Sequence, residues 1–127
     1  MTDDIPAIRP KQGKIWGYTM MPFAFNNIES HGIQVDAGTY CSNHDHRTKW
    51  NRFFVLVGKL KICQYTDDGE SITDETIVGP WEVTDVPPGV RHTFEALEDT
   101  IAVEYYWSPL DPDDIDRHGT HGGRNHG

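Results

Sequence analysis

His44 and His46 stand two residues apart within a polar stretch, residues 42–49. On an extended strand, side chains two apart point to the same face. Two imidazoles on one face, joined by a third from elsewhere, can form a facial three-nitrogen site. Such a site suits Fe, Zn, Ni or Cu. A His-x-His pair alone is equally compatible with two solvent-facing side chains. Of the seven histidines, His118, His121 and His126 lie in a glycine-bearing tail. A His-rich tract can bind metal, but ordering so flexible a chain costs entropy, and the tail reads as mobile. His31 has no sequence partner and reads as a strand-edge residue.

The elements that must position this chemistry read as strands. Apolar residues rarely recur at helical spacing for more than one turn, and twelve glycines and eight prolines interrupt nearly every segment. Strands are expected at 28–37, 51–57, 59–65, 76–78, 82–86, 91–95 and 100–107, with no helix and no internal repeat. Gly38 and Gly58 end strands, Asp67-Asp68-Gly69 is a turn, and Pro87-Pro88-Gly89 forces another. Many short strands at this spacing predict an all-β sandwich or barrel.

A chain of 127 residues is one domain's worth, long enough to bury a core without disulfides. The net charge of -9 disfavours phosphate backbones and anionic lipid, so no nucleic acid or membrane partner is expected. No apolar run approaches a membrane span, and residues 1–11 do not read as a secretion signal. Two cysteines, Cys41 and Cys63, fit a reducing, cytoplasmic setting without a disulfide.

The run from Gly38 through His44, His46 and Asn51 to Gly58 resembles the first motif of the cupin superfamily. That motif is Gly, five residues, His-x-His, three or four residues, Glu, six residues, Gly. Pro87-Pro88-Gly89-Val90-Arg91-His92 resembles the core of the second motif, Pro-x-Gly-x-x-His. Gly79 stands two residues further upstream than usual, and Ala96 replaces a common closing Asn. The resemblance implies a single-domain cupin over residues 1–127, a double-stranded β-helix or jelly-roll barrel. Its core would cover about 14–108, with an arm at 1–13 and a tail at 109–127. The implied metal ligands are His44, His46 and His92, with Asn51 in the position of the usual Glu. The implied cofactor is a divalent transition metal, Fe, Mn, Ni or Zn, and the implied assembly is a homodimer. Asn51 leaves two readings: a metal held by three imidazoles plus Asn51 or water, or a site that binds metal poorly.

Strand alternation extends the list. It puts Tyr40 and Ser42 on the face of His44 and His46, Phe53 and Val55 with Asn51, and Phe94 with His92. On the last strand either Glu104 and Tyr106 or Val103 and Tyr105 face inward. If inward, Glu104 is the candidate general base, with Tyr40 or Tyr106 as a further proton carrier. Lys49 and Arg52 could pair with a substrate carboxylate or phosphate, although parity points Arg52 outward. The end of the chain, from Glu104 through Asp113-Asp114-Ile115-Asp116-Arg117 to Gly122-Gly123, is similar to the cupin domain of type II mannose-6-phosphate isomerases. Trp16-Gly17 and the Cys-Ser-x-His-x-His run add to that likeness. It implies a metal-dependent isomerase or epimerase acting on a sugar, sugar phosphate or similar small polar metabolite. There a metal would polarise a carbonyl and its neighbouring hydroxyl. The missing Glu also suits a three-His Fe(II) dioxygenase, and a non-catalytic binding cupin is the third reading.

Overall fold

The computed structural model describes residues 7–109 and Gly122. The Asp113–Arg117 motif and the tail histidines lie outside the described residues. Nine strands run in chain order: β1 Ala7–Lys14, β2 Gly17–Phe25, β3 Ile28–Val35, β4 Trp50–Val57, β5 Leu60–Tyr65, β6 Ile72–Val78, β7 Val83–Val86, β8 His92–Ala96 and β9 Thr100–Trp107. The described residues contain no helix, and so none long and apolar enough to cross a membrane.

The strands form two antiparallel sheets. One has the order β1-β2-β3-β9-β4-β7 and the other β6-β5-β8. Residues 38–46 extend the smaller sheet as an irregular fourth edge. They meet β8 through bridges at Tyr40–Glu95 and His44–His92, a few further backbone bonds, and a bond from the Phe94 amide to Cys41 Sγ. Alternation explains the packing. Asn51, Phe53 and Val55 of β4, His92, Phe94 and Ala96 of β8, and Thr100, Ala102 and Glu104 of β9 are buried. Ile33, Val35, Leu60, Ile62 and Val78 complete a core between the sheets. Aromatic edges tie the layers together: Trp16 meets Phe94 at 5.0 Å and Phe53 meets Phe94 at 6.1 Å between ring centroids.

Two strands depart from the sequence reading. β1 occupies Ala7–Lys14, all but its last residue in the stretch 1–13 read as an arm, and β2 lies where no strand was expected. Both carry register shifts, between Arg9 and Gln12 and between Met20 and Phe23. Each shift breaks the inside–outside alternation by which a strand is recognised. Gly17 is required where β2 begins. Its φ is +146°, and a Cβ there would fall 1.9 Å from the Gln34 carbonyl oxygen. Gly58, between β4 and β5, is constrained in the same way by the Asp99 carbonyl, 2.4 Å from where its Cβ would stand.

Candidate metal centre and acid pair

The Pro87-Pro88-Gly89 turn brings β8 beside residues 38–46. Gly89 adopts φ +78° and donates its amide to the His46 carbonyl at 2.6 Å. His92 N donates to the His44 carbonyl at 2.8 Å, and His44 N donates back to the His92 carbonyl at 3.2 Å. This two-way pair puts the two imidazoles side by side, with ring centroids 4.4 Å apart. His46 lies 5.1 Å from His44 and 5.6 Å from His92 by the same measure. One ligand nitrogen from each of the three histidines lies within 4.8 Å of the others.

The donor chemistry fits a cation. His44 Nδ1 is 2.7 Å from the Ser42 carbonyl and His92 Nδ1 is 2.9 Å from the Val90 carbonyl. Each Nδ1 therefore carries the proton it donates, and each Nε2 keeps its lone pair free, as metal-binding imidazoles do. His46 Nε2 is buried with no hydrogen-bond partner, and an unsatisfied buried polar atom is costly. His92 Nε2 stands 3.2 Å from Asn51 Oδ1, while Asn51 Nδ2 donates a long bond, 3.4 Å, to the Tyr105 carbonyl. With Nδ1 protonated, the His92 Nε2 and Asn51 oxygen lone pairs face one another without a proton between them. Exchanging the amide's O and N would only move that clash to the Tyr105 carbonyl. A cation between the groups resolves it. Nitrogens about 2.1 Å from a common ion stand about 3 Å apart at neighbouring positions, so a facial trio closes on an ion with shifts of up to about 2 Å from its present spacing. Burial, then the neighbouring imidazoles, pushes His92 down to about 4, and burial lowers His46 as well. Both are neutral at pH 7 and so able to ligate.

Asn51 and His92 are each 1% exposed, and Asn51, Phe53 and Val55 face inward together, as do His92 and Phe94. The last strand takes one of the two open parities: Glu104 and Tyr106 face inward. Glu104 is 6% exposed, and the Tyr106 hydroxyl donates to its Oε2 at 2.5 Å. Burial pushes Glu104 up to about 7 against the lowering effect of that hydrogen bond. Burial also pushes the Tyr106 hydroxyl up, so it stays a donor. The Tyr106 ring meets His46 edge-on at 5.0 Å and thereby joins the acid to the imidazoles.

Tyr40 and Ser42 are not on the inner face. Tyr40 is 68% exposed, and with Ser42 it lines an outer groove beside Lys61 and Glu95. Cys41 is the residue that turns into the core, where burial raises its thiol to about 12. Cys41 and His44, three apart, both point inward because the stretch between them is not a regular strand, so counting by twos fails there. Tyr40 therefore has no access to the interior as a proton carrier.

His31 is not at an edge. It lies mid-strand between β2 and β9, directly opposite Glu104. Its Nε2 is 3.2 Å from Glu29 Oε2 and its ring meets Tyr106 at 5.2 Å. The Glu29-x-His31 spacing, two side chains on one face, was the available signal. Lys49 Nζ reaches Glu29 at 3.6 Å and the Tyr106 ring at 5.6 Å. Arg52 points outward as parity indicated, pairing with Asp85 and lying over Trp107.

No known protein family matches the chain by sequence, and no curated protein is similar to it at a significant level. Solved structures do match. CapF from Staphylococcus aureus, described as a capsular polysaccharide assembling protein, is 26% identical with a TM-score of 0.66 over 85% of this chain and 32% of its own. KdgF from Halomonas sp. is 16% identical with a TM-score of 0.66, covering 84% of this chain and 94% of its own. An RmlC-like cupin from Shewanella frigidimarina is 20% identical with a TM-score of 0.61, covering 91% and 94%. The chain corresponds to about a third of CapF. Two facing antiparallel sheets with a three-imidazole cluster at the end of the smaller one define a jelly-roll barrel with a candidate metal centre. The chain has the cupin fold.

Proposed function

We propose that this cupin-fold protein is a metal-dependent isomerase or epimerase acting on a sugar, sugar phosphate or similar small polar metabolite. The reading rests on Glu104, a buried carboxyl poised near neutrality, hydrogen-bonded to Tyr106 and joined through that ring to His46. The sugar reading is supported by the likeness of the C-terminal segment to type II mannose-6-phosphate isomerases and by CapF, whose description concerns a polysaccharide. His44, His46 and His92, with the Asn51 oxygen, would hold the ion. When bound, a divalent metal supplies Lewis-acid polarisation of a substrate carbonyl.

The chain's own groups would move the protons. The Glu104 carboxylate takes the proton from the carbon next to the carbonyl and returns it to the former carbonyl carbon. Tyr106, kept protonated by burial, passes a proton between the two substrate oxygens, so no atom leaves. Phe53, Phe94 and Trp16 exclude water from the inner wall. A base with a value of about 7 makes turnover rise through that pH. The test is conversion of an aldose–ketose panel in D2O by the metal-loaded protein. Wild type should place solvent deuterium on carbon, and Glu104→Gln should lower turnover about 10²- to 10⁴-fold with metal content unchanged. Full activity in Glu104→Gln would remove Glu104 from the reaction.

A second reading, a three-His Fe(II) dioxygenase, is favoured by Asn51, which leaves the ligand set without a carboxylate. It requires oxygen uptake by the iron-loaded protein with a chelating substrate. A homodimer is proposed from the family resemblance. The exposed outer face of β3, β9, β4 and β7, with Ile28, Tyr105, Val83 and the 77%-exposed Trp81, would be its interface. Light scattering at micromolar concentration should give twice the chain mass, and a monomer would reject that assembly. Cys41 and Cys63, both free and buried, are compatible with the proposed cytoplasmic setting.

A further inference from the structure

β1 closes the inner face of the larger sheet over a cleft of about 230 Å³. Its floor is Glu104, Tyr106 and His31, its apolar wall is Trp16, Met21 and Ile33, and its rim is Arg9, Gln12 and Lys14. The strand ladder explains this arrangement. Phe53 pairs with Glu104, Glu104 with His31, Ile33 with Thr19, Thr19 with Gln12, and Arg9 with Met21. Two neighbouring rows build the cleft: Phe53–Glu104–His31, which stops at the irregularity in β2, and Ile33–Thr19–Gln12, which reaches β1. Tyr106 belongs to both places: it lines the cleft and its ring abuts His46.

The chain has 20 acidic and 11 basic side chains, and Lys49, Arg52, Lys59 and Lys61 all pair with acids. Among the described residues Arg9, Lys11, Lys14, Arg47 and Arg91 form no ion pair, and two of these five, Arg9 and Lys14, line this cleft. Glu104 is the cleft's one acid among the described residues. Two cations converging on a cleft with apolar walls act through a focused field, unlike isolated surface charges. The floor offers complementary chemistry. Tyr106 occupies Oε2 of Glu104 and leaves the other oxygen to accept a hydroxyl. The volume is below the range usual for drug-sized ligands, which limits the occupant to a small metabolite.

We propose that this cleft binds a small polyhydroxylated oxyanion, with its carboxylate or phosphate on Arg9 and Lys14 and its hydroxyls on Glu104 and His31. The proposal rests on the sugar reading above and narrows the substrate to acidic sugars, excluding neutral ones. β1 is then a specificity element as well as a cover.

The test is calorimetric binding of D-glucuronate, D-glucose 6-phosphate and D-glucose to the metal-loaded full chain and to Arg9→Gln/Lys14→Gln. Both variant positions are exposed, so the fold should persist, and unchanged metal content checks it. At least one charged sugar should bind about tenfold or more tightly than glucose. That preference should weaken with salt and vanish in the double variant. Preference for one charged sugar over the other identifies the oxyanion. Equal binding of glucose, or a preference that survives in the variant, would overturn the proposal and leave the sugar reading standing. Binding of none of the three by fully metal-loaded protein would overturn both.

Discussion

The barrel presents two chemically different sides built in different ways. His44 and His46 sit on a stretch joined to β8 by a few backbone bonds, while Glu104, Tyr106 and His31 sit within a continuous six-stranded sheet. The ladder fixes the acid side: every residue from Thr100 to Trp107 pairs with β3. The imidazole side has an irregular backbone and an unpartnered nitrogen on His46. A preorganised acid thus faces a nitrogen cluster that an ion would complete. The two sides should respond differently to substitution.

The largest effect is expected where the ion is the organiser. His44→Ala/His46→Ala removes two of three nitrogens and should lower metal affinity by more than about 100-fold, since loss of a mere supporting contact already costs about 10- to 100-fold. Elemental analysis should fall from about one metal per chain in the wild type to a small residue. In the presence of chelator the variant should melt near the wild type, because neither side chain belongs to the apolar core. Equal metal content in both proteins would place the ion elsewhere.

The acid side should show its character through pH. Glu104 is raised from an ordinary 4.5 to about 7, so between those values the folded chain holds a proton that the unfolded chain has lost. Its contribution to stability is complete below pH 4.5, declines as pH rises through the window, and levels off above about 7. The decline is on the order of 3 kcal/mol. His92, lowered to about 4, acts in the opposite sense. Below its ordinary value of 6.5 the unfolded state gains a proton first, and stability falls as pH drops towards 4. The difference between wild type and Glu104→Gln in denaturant titrations isolates the acid. The variant should gain on the wild type from pH 4.5 to 7 and then hold constant. A difference independent of pH would mean that Glu104 titrates as it would in water.

The imidazole side was legible in the sequence because its residues lie in two short local patterns: Gly38 to Gly58, and Pro87 to His92. The strands carrying Asn51, Phe53, His92 and Phe94 alternate cleanly, so their inward faces could be counted. The count failed at Tyr40, where the backbone between Cys41 and His44 is irregular. It failed over β1 and β2, where bulges interrupt the alternation and Pro10 sits on an edge strand, the place such a residue is tolerated. His31 reads as a strand-edge residue because its neighbour Glu104 arrives only through the β3–β9 register. Local motifs reveal ligands, whereas a cleft assembled by register needs the sheet.

Asn51 stands on the boundary between the two sides, and changing its charge gives the smallest change in metal affinity but the most discriminating one. It is buried beside His92 and donates only a long bond to the Tyr105 carbonyl. Asn51→Asp adds a carboxylate where the resemblance has an acid. Without metal that charge is buried and unpaired, and a fold that must bury it loses about 3–5 kcal/mol. With metal the same charge faces a divalent cation, and affinity should rise about tenfold, or about 1.4 kcal/mol. The variant should therefore melt below the wild type in chelator and gain more than the wild type when metal is added. A change of the same sign and size in both conditions would show that Asn51 does not face the ion and that the trio acts without it.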